Sequence, residues 1–449
     1  MRSPVEHSAR KAALRALVRV EAGGAYADRA LEAEMAGLSD ADRALATELV
    51  YGVLRWQIKI DWIINAFSRI RTARLEHRVL NALRLGVYQL LFLSGIPARA
   101  AVSETVELVG NDGPRTRGFV NAVLRKIDAR RDAIAFPLLR RDPVGYISVV
   151  FSHPRWIVRR WIDRYGAAAA MRLCQAGLAH PPRTIRVNTM VTTREALARE
   201  LTAMGYAVEE GRFSPQALIV SGGPAALAPR ERRYYMQDEA SQLVALLAAP
   251  PPGGLVLDGC AAPGGKTTHL AQLMDGTGTV VAVDTSESRL EAVREAARLL
   301  SLENIVTVCA DAAGDIELPG GTEEFDCVLV DAPCTGLGVL RRAPDIKLRR
   351  REEDLAGRAA LQLRLISNLA RRVRPGGVLV YAVCSFEPEE TTDVVERFLD
   401  DNSEFTVEDA AGVLPPACAE VVDRSGFLGT RPDLHGIDGF FGARLRRRQ

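Results

Sequence analysis

The second half of the chain alternates short apolar runs with amphipathic segments at nearly regular intervals, and this pattern restricts the fold more than any other feature. From about Ala240 onward, runs such as GLVLDGC, GTVVAVDT and NIVTVCAD each precede a segment with helical spacing. Strands separated by helices of this length predict βαβ units, and therefore a parallel sheet with helices on both faces. In such sheets ligands bind at the carboxyl ends of the strands, so residues that follow strands are candidates for a functional site.

The first part of the chain shows a different periodicity, in which apolar residues recur at steps of three and four. This spacing runs from Ser8 to about Arg131 and predicts an all-helical bundle. Ser39, with Asp42 three residues on, is a typical capping signature at the start of one of these helices. Residues 154–240 mix helical spacing with strand-like runs, which predicts a small α/β module.

These patterns predict a multidomain chain, and its 449 residues are enough for two or three separate cores. The stretch 136–153 carries two prolines ahead of His153, and we interpret it as a linker. The expected order is a helical bundle, a small α/β module and a C-terminal α/β domain. We place these three domains at residues 1–140, 150–240 and 241–449.

Charge is distributed unevenly along the chain, although the net charge is only +2. Residues 1–140 hold 22 Lys and Arg against 15 Asp and Glu, whereas the remainder is acidic. A basic N-terminal part favours a polyanionic partner such as nucleic acid. Nearly all basic residues of the whole chain are arginine, however, so a general composition bias explains the charge equally well.

The sequence contains no pattern typical of a membrane or metal protein. The N-terminus lacks the uninterrupted apolar core of a signal peptide, and the longest apolar run, near VYQLLFLSGI, is too short to span a bilayer. The seven cysteines show no C-x-x-C pair and no clustering with histidine at ligand spacing. We therefore expect a cytoplasmic protein with no metal and no disulfide framework, whose thiols are core residues or catalytic groups.

The segment DGCAAPGGKT follows the first strand of the predicted sheet, and three types of cofactor compete for it. A P-loop would need glycine where Cys260 stands, although Gly265, Lys266 and Thr267 match the end of that motif. A dinucleotide loop would need G-x-G-x-x-G, and Pro263 removes a backbone donor that a pyrophosphate requires. S-adenosylmethionine carries no phosphate, so a glycine turn that lets the backbone approach its methionine part fits this segment better.

Aspartates follow three further strands of the predicted sheet. Asp284 lies 20 residues past Gly264, where dinucleotide folds place the acid that binds ribose hydroxyls. Asp311 follows the next strand and would meet the adenine end of the cofactor. A lone aspartate at a strand end is usually a helix cap or a turn former. Three of them, Asp284, Asp311 and Asp331, at successive strand ends favour cofactor contacts instead.

Two cysteines also follow strand ends, in VLVDAPCTGLG and LVYAVCSFEPEE. Cys334 and Cys384 lead into loops that contain glycine or proline, so we interpret both as functional thiols at the carboxyl edge of the sheet. We expect Cys260, Cys309 and Cys327, which lie inside or beside apolar strands, to be core thiols.

A methyl donor next to two thiols narrows the chemistry to a small group of reactions. Carbon 5 of cytosine is too weak a nucleophile to take a methyl group directly, whereas adding a thiolate to carbon 6 makes it reactive. A base must then remove the proton from carbon 5 so that the enzyme is released. The attacking thiol needs a lowered pKa, which Lys266 or a helix N-terminus could provide. This reasoning does not decide whether Cys334 or Cys384 attacks.

The chain resembles the RNA 5-methylcytosine methyltransferases of the Sun/Fmu type, bacterial enzymes that modify 16S (small-subunit) ribosomal RNA. The blocks CAAPGGKTTHLAQLM, DAPCTGLGVLRRAPDIK, YAVCSFEPEE and HGIDGFFGARL resemble those of the family and occur in the same order. Upstream, IRVNT and YYMQDEASQLV resemble the preceding family segment, and residues 8–131 resemble its helical NusB-like RNA-binding domain. The resemblance implies a Rossmann-like methyltransferase domain at the C-terminal end.

The resemblance also implies a role for each candidate residue. In the family, the cysteine after the later strand, here Cys384, is the nucleophile, and the Pro-Cys thiol, here Cys334, assists product release. Asp331 and Lys266 join them as catalytic candidates, and Asp331 is a candidate to bond the amino edge of the cytosine. The implied S-adenosylmethionine contacts are Cys260, Ala261, Ala262, Pro263, Gly264, Gly265, Lys266, Asp284, Asp311 and Asp331.

We therefore expect a monomeric enzyme that methylates carbon 5 of a cytosine in small-subunit rRNA, either naked or in an early assembly particle. The helical and small α/β modules would hold the RNA. The alternatives are a non-catalytic RNA-binding factor of ribosome assembly or antitermination, and methylation of another RNA or of DNA. Phe440 and Phe441 could stack on a base, but we favour a core position in a last strand.

Overall fold

The fold is described from a computed structural model. It describes residues 8–223, 227–228, 230–321 and 323–449. The first seven residues, on which the expectation about a signal peptide partly rests, lie outside the described residues. In the part of the chain that is described, no helix is long and apolar enough to cross a membrane.

Helices form most of the first part of the chain and alternate with strands in the rest. The helices are α1 (Ala9–Gly23), α2 (Ala27–Glu32), α3 (Asp40–Phe67), α4 (His77–Phe92), α5 (Ala98–Leu108), α6 (Pro114–Ala129), α7 (Pro143–Val150), α8 (Arg155–Tyr165), α9 (Ala167–Leu178), α10 (Arg194–Ala203), α11 (Glu239–Ala248), α12 (Gly265–Leu273), α13 (Glu287–Leu299), α14 (Ile346–Arg349), α15 (Asp354–Ala370), α16 (Thr392–Asp401) and α17 (Pro432–His435). The strands are β1 (Thr184–Val187), β2 (Tyr206–Glu210), β3 (Ala217–Gly222), β4 (Arg230–Glu231), β5 (Tyr234–Met236), β6 (Leu255–Asp258), β7 (Thr279–Asp284), β8 (Ile305–Cys309), β9 (Phe325–Asp331), β10 (Val373–Val383), β11 (Phe405–Glu408), β12 (Leu428–Gly429) and β13 (Phe441–Arg447).

The chain divides into two compact units, and the first consists of Met1–Ala179 together with Leu340–Arg350. Its helices pack around a core to which α1, α3, α4 and α6 contribute apolar faces. The predicted cap is present, because Ser39 Oγ accepts a hydrogen bond from the Asp42 amide at 3.2 Å. The all-helical prediction for this part of the chain is confirmed.

The interpretation of residues 136–153 as a linker is wrong in one respect, because this stretch contains the helix α7. Pro143 occupies the first position of this helix, and the Asp142 side chain accepts a hydrogen bond from the Gly145 amide at 2.7 Å. Proline is favoured at the first helical position, where its missing N–H has no helical partner to lose. The proline therefore starts a helix here instead of breaking one.

The short segment Leu340–Arg350 belongs to the helical unit although it lies far along the sequence. The buried Lys347 Nζ donates to the Arg55 carbonyl at 2.8 Å, and Arg349 Nη1 donates to the Gly24 carbonyl at 2.8 Å. Leu348 packs against the helical core. The three-domain division drawn from the sequence stays a prediction, since these units group the chain in another way.

The second unit consists of His180–Val339 and Arg351–Gln449, and it holds two sheets. Within the described residues the smaller sheet has the order β2-β3-β1-β5-β4, with antiparallel pairing. Strands β1 and β3 and helix α10 coincide with the runs RTIRVNT, ALIVSG and TREALARELTAMG. This sheet is the strand part of the predicted small α/β module.

The larger sheet has the order β11-β13-β10-β9-β6-β7-β8, with β12 paired to β13. Strands β6 to β10 are parallel, as the βαβ pattern predicts. Beyond the strands of the βαβ pattern the sheet is mixed, because β13 runs antiparallel to β10 and β11 antiparallel to β13. Helix α16 carries the chain from β10 to β11, which run in the same direction, and β13 lies between these two strands and antiparallel to both.

The expected core positions are largely confirmed. Phe440 and Phe441 are buried where the last strand begins, and Cys327 is buried inside β9. Cys260 is half-buried. Cys309 is exposed, so its expected core position is wrong. It ends β8, which lies at the edge of the sheet and has a neighbouring strand on one side only.

Candidate active site

The two candidate thiols lie against each other at the carboxyl edge of the larger sheet. Strands β9 and β10 are parallel neighbours whose register pairs Asp331 with Ala382, so the residues after the two strands meet. Cys334 Sγ and Cys384 Sγ are 3.2 Å apart. The Gly338 amide also donates to the Cys384 carbonyl at 3.0 Å, which ties the Pro-Cys loop to the end of β10. The structure therefore brings together the two cysteines that the sequence singled out.

A partly buried ion pair lies beside the thiols. Lys266, in the first turn of α12, donates from Nζ to Asp331 Oδ2 at 2.8 Å. Burial alone would lower the pKa of Lys266, but the charge of Asp331 and this hydrogen bond outweigh burial and raise the pKa above its usual value. A negative charge on Cys384 adds to the same effect. Lys266 is thus held as a cation that attracts a thiolate at Cys384.

The surroundings of Cys334 disfavour the thiolate form of this residue. Its hydrogen bond with Cys384, burial, and the nearby negative charges of Cys384 and Glu390 raise the pKa of the Cys334 thiol well above its usual value. Glu390 is fully buried and accepts a hydrogen bond from the Thr335 amide at 2.7 Å. Cys334 is therefore held as a protonated thiol next to the other sulfur.

The glycine loop between β6 and α12 has a shape that a side chain would disturb. Gly264 adopts φ +101°, and a Cβ at this position would lie 3.0 Å from Val293 Cα. The Ala261 amide donates to the Val283 carbonyl at 2.9 Å, which fixes the loop above β7. The Thr267 hydroxyl donates to Asp258 Oδ2 at 2.7 Å, which ties the first turn of α12 to the end of β6.

The three aspartates of the sequence argument differ in what they contact. Asp331 pairs with Lys266, and Asp284 accepts a hydrogen bond from the Ala262 amide of the glycine loop at 3.3 Å. Asp311 is exposed and accepts from the Ala313 amide at 3.0 Å, which is a turn-forming bond. Because β8 pairs Cys309 with Asp284, Asp311 lies two residues past the neighbour of Asp284 at the same sheet edge. A cofactor contact for Asp311 stays a prediction.

The charges around the glycine loop fit a cationic cofactor better than a phosphate. Two acids lie at the loop, and each is paired with the cation beside it: Asp331 with Lys266 at 2.8 Å and Asp284 with Arg289 at 3.3 Å. Burial is the main cause that raises the pKa of Asp258 to about 7. In the described part of the chain its Oδ1 atom is buried and has no hydrogen-bond partner. The residues present therefore fit a sulfonium-bearing ligand with polar groups to bind, as S-adenosylmethionine is.

The structure adds three residues that the sequence argument did not assign to the site. Asp258 ends β6 just as Asp284 and Asp331 end their strands, so the same signal could have found it. The ring of Phe440 lies 4.9 Å from Lys266 Nζ, a cation–π distance within the core. Glu390 has no comparable signal, since several glutamates follow Cys384 in SFEPEE.

An open α/β sheet with a glycine turn, acids and paired thiols at its carboxyl edge defines the class of Rossmann-like methyltransferases, here with an added helical domain. Comparison with known families agrees with this class. The family model described as 16S rRNA methyltransferase RsmB/F matches residues 245–446, the NusB family model matches 7–129, and the ferredoxin-like domain of RsmF/B-like methyltransferases matches 153–226. The chain belongs to the RsmB/F family, which is the family expected from the sequence.

Relatives match the chain over nearly its whole length. The probable ribosomal RNA small subunit methyltransferase B of Bacillus subtilis (strain 168) is 36% identical over 448 residues, covering 98% of this chain and 99% of that protein. Ribosomal RNA small subunit methyltransferase B of Pseudomonas syringae pv. tomato is 36% identical, covering 97% of this chain and 96% of that protein. The crystal structure of PH0851 is similar with a TM-score of 0.80 and 25% identity, over 97% of this chain and 99% of that chain.

Family membership confirms the expected fold class: a NusB-like helical domain, a ferredoxin-like module and a methyltransferase domain with a mixed sheet. It also confirms that the protein is an enzyme, an S-adenosylmethionine-dependent methyltransferase of the small-subunit rRNA class. The non-catalytic alternative weighed above is thereby set aside.

Proposed function

We propose that the protein transfers a methyl group from S-adenosylmethionine to carbon 5 of a cytosine in 16S rRNA, with Cys384 as the attacking nucleophile. The observation that carries this proposal is the contact of 3.2 Å between Cys334 Sγ and Cys384 Sγ beside the Lys266–Asp331 pair. Two thiols at the edge where the cofactor loop also lies fit a reaction that needs both a covalent attack and a separate release step.

The cofactor would be held by the loop Cys260–Lys266 and by the acids at the strand ends. When bound, S-adenosylmethionine supplies an electrophilic methyl group on a sulfonium centre. Asp284 would hold the ribose hydroxyls, Asp311 would meet the adenine end, and the buried, unpartnered Oδ1 of Asp258 offers a further acceptor. Asp284 and Asp311 are acceptors for hydroxyl and amino donors, and their carboxylates disfavour a phosphate.

In the first step the Cys384 sulfur forms a bond to carbon 6 of the cytosine, and the 5,6 double bond opens so that carbon 5 becomes nucleophilic. Lys266 assists by attracting the thiolate form of Cys384. The same attraction contributes to the raised pKa of Lys266. Asp331 keeps Lys266 in place, and its carboxylate would accept a hydrogen bond from the amino group of the cytosine. With S-adenosylmethionine bound, carbon 5 would take its methyl group, and the bond from that methyl group to the sulfonium sulfur would break with its electron pair going to the sulfur.

In the release step carbon 5 loses its proton to a base, and the bond between carbon 6 and Cys384 sulfur breaks with its electron pair returning to sulfur. The Cys334 thiol is protonated and lies 3.2 Å from this sulfur, so it can donate a hydrogen bond to the departing thiolate. Stabilising the leaving group speeds its departure. The two thiols thus have different functions although they touch.

The other domains would supply the hold on RNA. The NusB-like domain and the ferredoxin-like module have no thiol chemistry assigned to them, and the first is rich in arginine. We propose that both bind the small-subunit rRNA, either naked or in an early assembly particle, and that the enzyme acts as a monomer in the cytoplasm. Salt dependence of RNA binding would measure how many phosphates these domains contact.

Two cysteine variants test the proposal. We expect Cys384→Ala to lose both methyl transfer and covalent attachment to RNA, because no sulfur remains to attack carbon 6. We expect Cys334→Ala to accumulate protein covalently joined to RNA, because release is slowed. Methyl incorporation and a denaturing gel measure both effects. Covalent attachment that survives in Cys384→Ala and is lost in Cys334→Ala would reverse the two roles.

A further inference from the structure

One fully buried carboxylate organises the loop that carries Cys334. Glu390 lies in the short turn Pro388–Glu390, six residues after Cys384, and its side chain is 0% exposed. Its Oε1 accepts from the Thr335 amide at 2.7 Å and from Gln362 Nε2 at 3.2 Å, and its Oε2 accepts from the Thr335 hydroxyl. The carboxylate therefore has three donors, all of them buried.

These bonds hold the Pro-Cys loop on both sides of Cys334. Thr335 follows the cysteine, and the Gln362 side chain that bonds Glu390 also donates to the Pro333 carbonyl at 3.0 Å. The backbone of Glu390 is fixed in turn, since its carbonyl accepts from the Tyr381 hydroxyl at 2.6 Å. Glu390 and Cys384 belong to one continuous segment, so the segment that carries one thiol clamps the loop that carries the other.

The charge of Glu390 also distinguishes the two sulfurs. It is among the negative charges that raise the pKa of Cys334, while the cation Lys266 interacts with Cys384. The negative charge of Glu390 thus disfavours loss of a proton at Cys334.

We infer that Glu390 is a positioning residue of the reaction: through Thr335 and Gln362 it holds the Pro-Cys loop so that Cys334 lies against Cys384, the attacking sulfur. This inference rests on the proposed function, because it assigns Glu390 to the release step of that mechanism. Glu390 touches neither substrate nor cofactor in this account, and it acts through Thr335, Gln362 and Cys334.

The test uses the full-length enzyme and Glu390→Gln, which keeps the size of the side chain and removes its charge. We expect alkylation of Cys334 by iodoacetamide to shift to lower pH, because the thiolate fraction at a fixed pH below the pKa rises about tenfold for each unit of pKa lost. Peptide mass spectrometry separates Cys334 from Cys384. In turnover with rRNA we expect adduct formation to proceed and release to slow, so that kcat falls while the covalent complex accumulates.

A matched control is Glu239→Gln. Glu239 is also a buried carboxylate of the second unit, and it accepts hydrogen bonds from the Phe213 and Ser214 amides. Its variant should lower stability without changing the pH profile of Cys334.

Thr335→Val provides a second route if Glu390→Gln does not fold. It keeps the carboxylate and removes one of its three donors, and we expect slower release with unchanged adduct formation.

The outcomes separate this inference from the proposed function. Adduct formation in Cys384→Ala would overturn the proposed function, whatever Glu390→Gln does. If Cys384→Ala forms no adduct, a Cys334 pH profile in Glu390→Gln that equals that of the unmodified enzyme or of Glu239→Gln would overturn the role of Glu390. An unchanged release rate in Thr335→Val would overturn the proposal that Glu390 holds the Pro-Cys loop through Thr335.

Discussion

At the scale of single residues, the two thiols are equivalent in the sequence and unequal in the structure. Both cysteines follow a strand and both enter a loop, so sequence reasoning could find the pair and could not rank its members. The proposed assignment of nucleophile and release group depends on Lys266 and Glu390. Lys266 is distant in sequence from Cys384, and Glu390 is distant from Cys334 and is one of several glutamates in its segment. Contacts of this kind arise only when separate strands and loops are brought together.

Asp331 is predicted to act on the substrate more than on the cofactor. Replacing it with Ala removes the partner of Lys266 and the proposed acceptor for the cytosine amino group, and we expect turnover to fall about tenfold or more. Cofactor affinity should fall less. Kinetics with rRNA and calorimetry with S-adenosylmethionine measure the two quantities.

Asp326→Ala is the control for this prediction, because Asp326 lies at the opposite end of the same strand, where its carboxylate accepts from the Leu255 amide and from Arg374. We expect it to affect stability and to leave the ratio of turnover to affinity unchanged. Equal losses of turnover and cofactor affinity in Asp331→Ala would contradict a role at the cytosine.

At the scale of elements, the strand ends were predictable and the turns between them were not. Each strand from β6 to β9 ends where its apolar run ends, and this alone places Asp284 and Asp331 at one edge of the sheet. The helix α7 was missed because prolines were interpreted as breakers, whereas Pro143 is at a position that proline favours. The exposure of Cys309 was missed because strand order, which places β8 at the edge, is not encoded in a local pattern.

The glycine loop gives a prediction for one element. Gly264→Ala forces a Cβ onto a backbone with φ +101° and against Val293, so we expect a loss of about 1–3 kcal/mol in stability and weaker cofactor binding. Gly357→Ala is the matched control. Gly357 lies in α15 with open space around it, and alanine there should stabilise the helix by about 0.5–1 kcal/mol. Opposite signs in thermal unfolding, with cofactor affinity lost only for Gly264→Ala, would agree with this account, and unchanged affinity would contradict it.

At the scale of the whole molecule, the helical unit combines residues that are far apart in the sequence. Residues 340–350 follow the Pro-Cys loop by only a few positions, yet they belong to the helical unit through contacts with Gly24 and Arg55. Removing residues 1–140 would therefore uncover this segment as well as remove an RNA-binding domain. A truncated enzyme that loses activity would not by itself show that RNA binding was lost.

The buried Lys347 makes the stability of the helical unit depend on pH. Burial, opposed weakly by Cys174, lowers the pKa of Lys347 to about 7, and Arg55 and His153 are further charged or titratable neighbours. Between about pH 7 and 10 the unfolded chain holds this proton and the folded chain does not, so the free energy of unfolding rises with pH by up to roughly 1.4 kcal/mol per pH unit. Below pH 7 the cost of burying the charge is present in full.

We expect Lys347→Met to remove most of this pH dependence and to stabilise the helical unit below pH 7. Urea unfolding followed by tryptophan fluorescence measures the effect in this unit alone, because all four tryptophans, Trp56, Trp62, Trp156 and Trp161, lie in it. Parallel pH curves for the two proteins would contradict the lowered pKa.

The central claim is that Cys384 attacks a cytosine of small-subunit rRNA, and a trapped adduct tests it most directly. The enzyme would be incubated with S-adenosylmethionine and 16S rRNA containing 5-fluorocytidine, whose fluorine cannot leave carbon 5 as a proton. The account predicts a protein–RNA complex that survives a denaturing gel, with the modified nucleotide on the peptide that contains Cys384. Attachment to the peptide of Cys334, or no covalent complex under conditions where the unmodified rRNA is methylated, would contradict it.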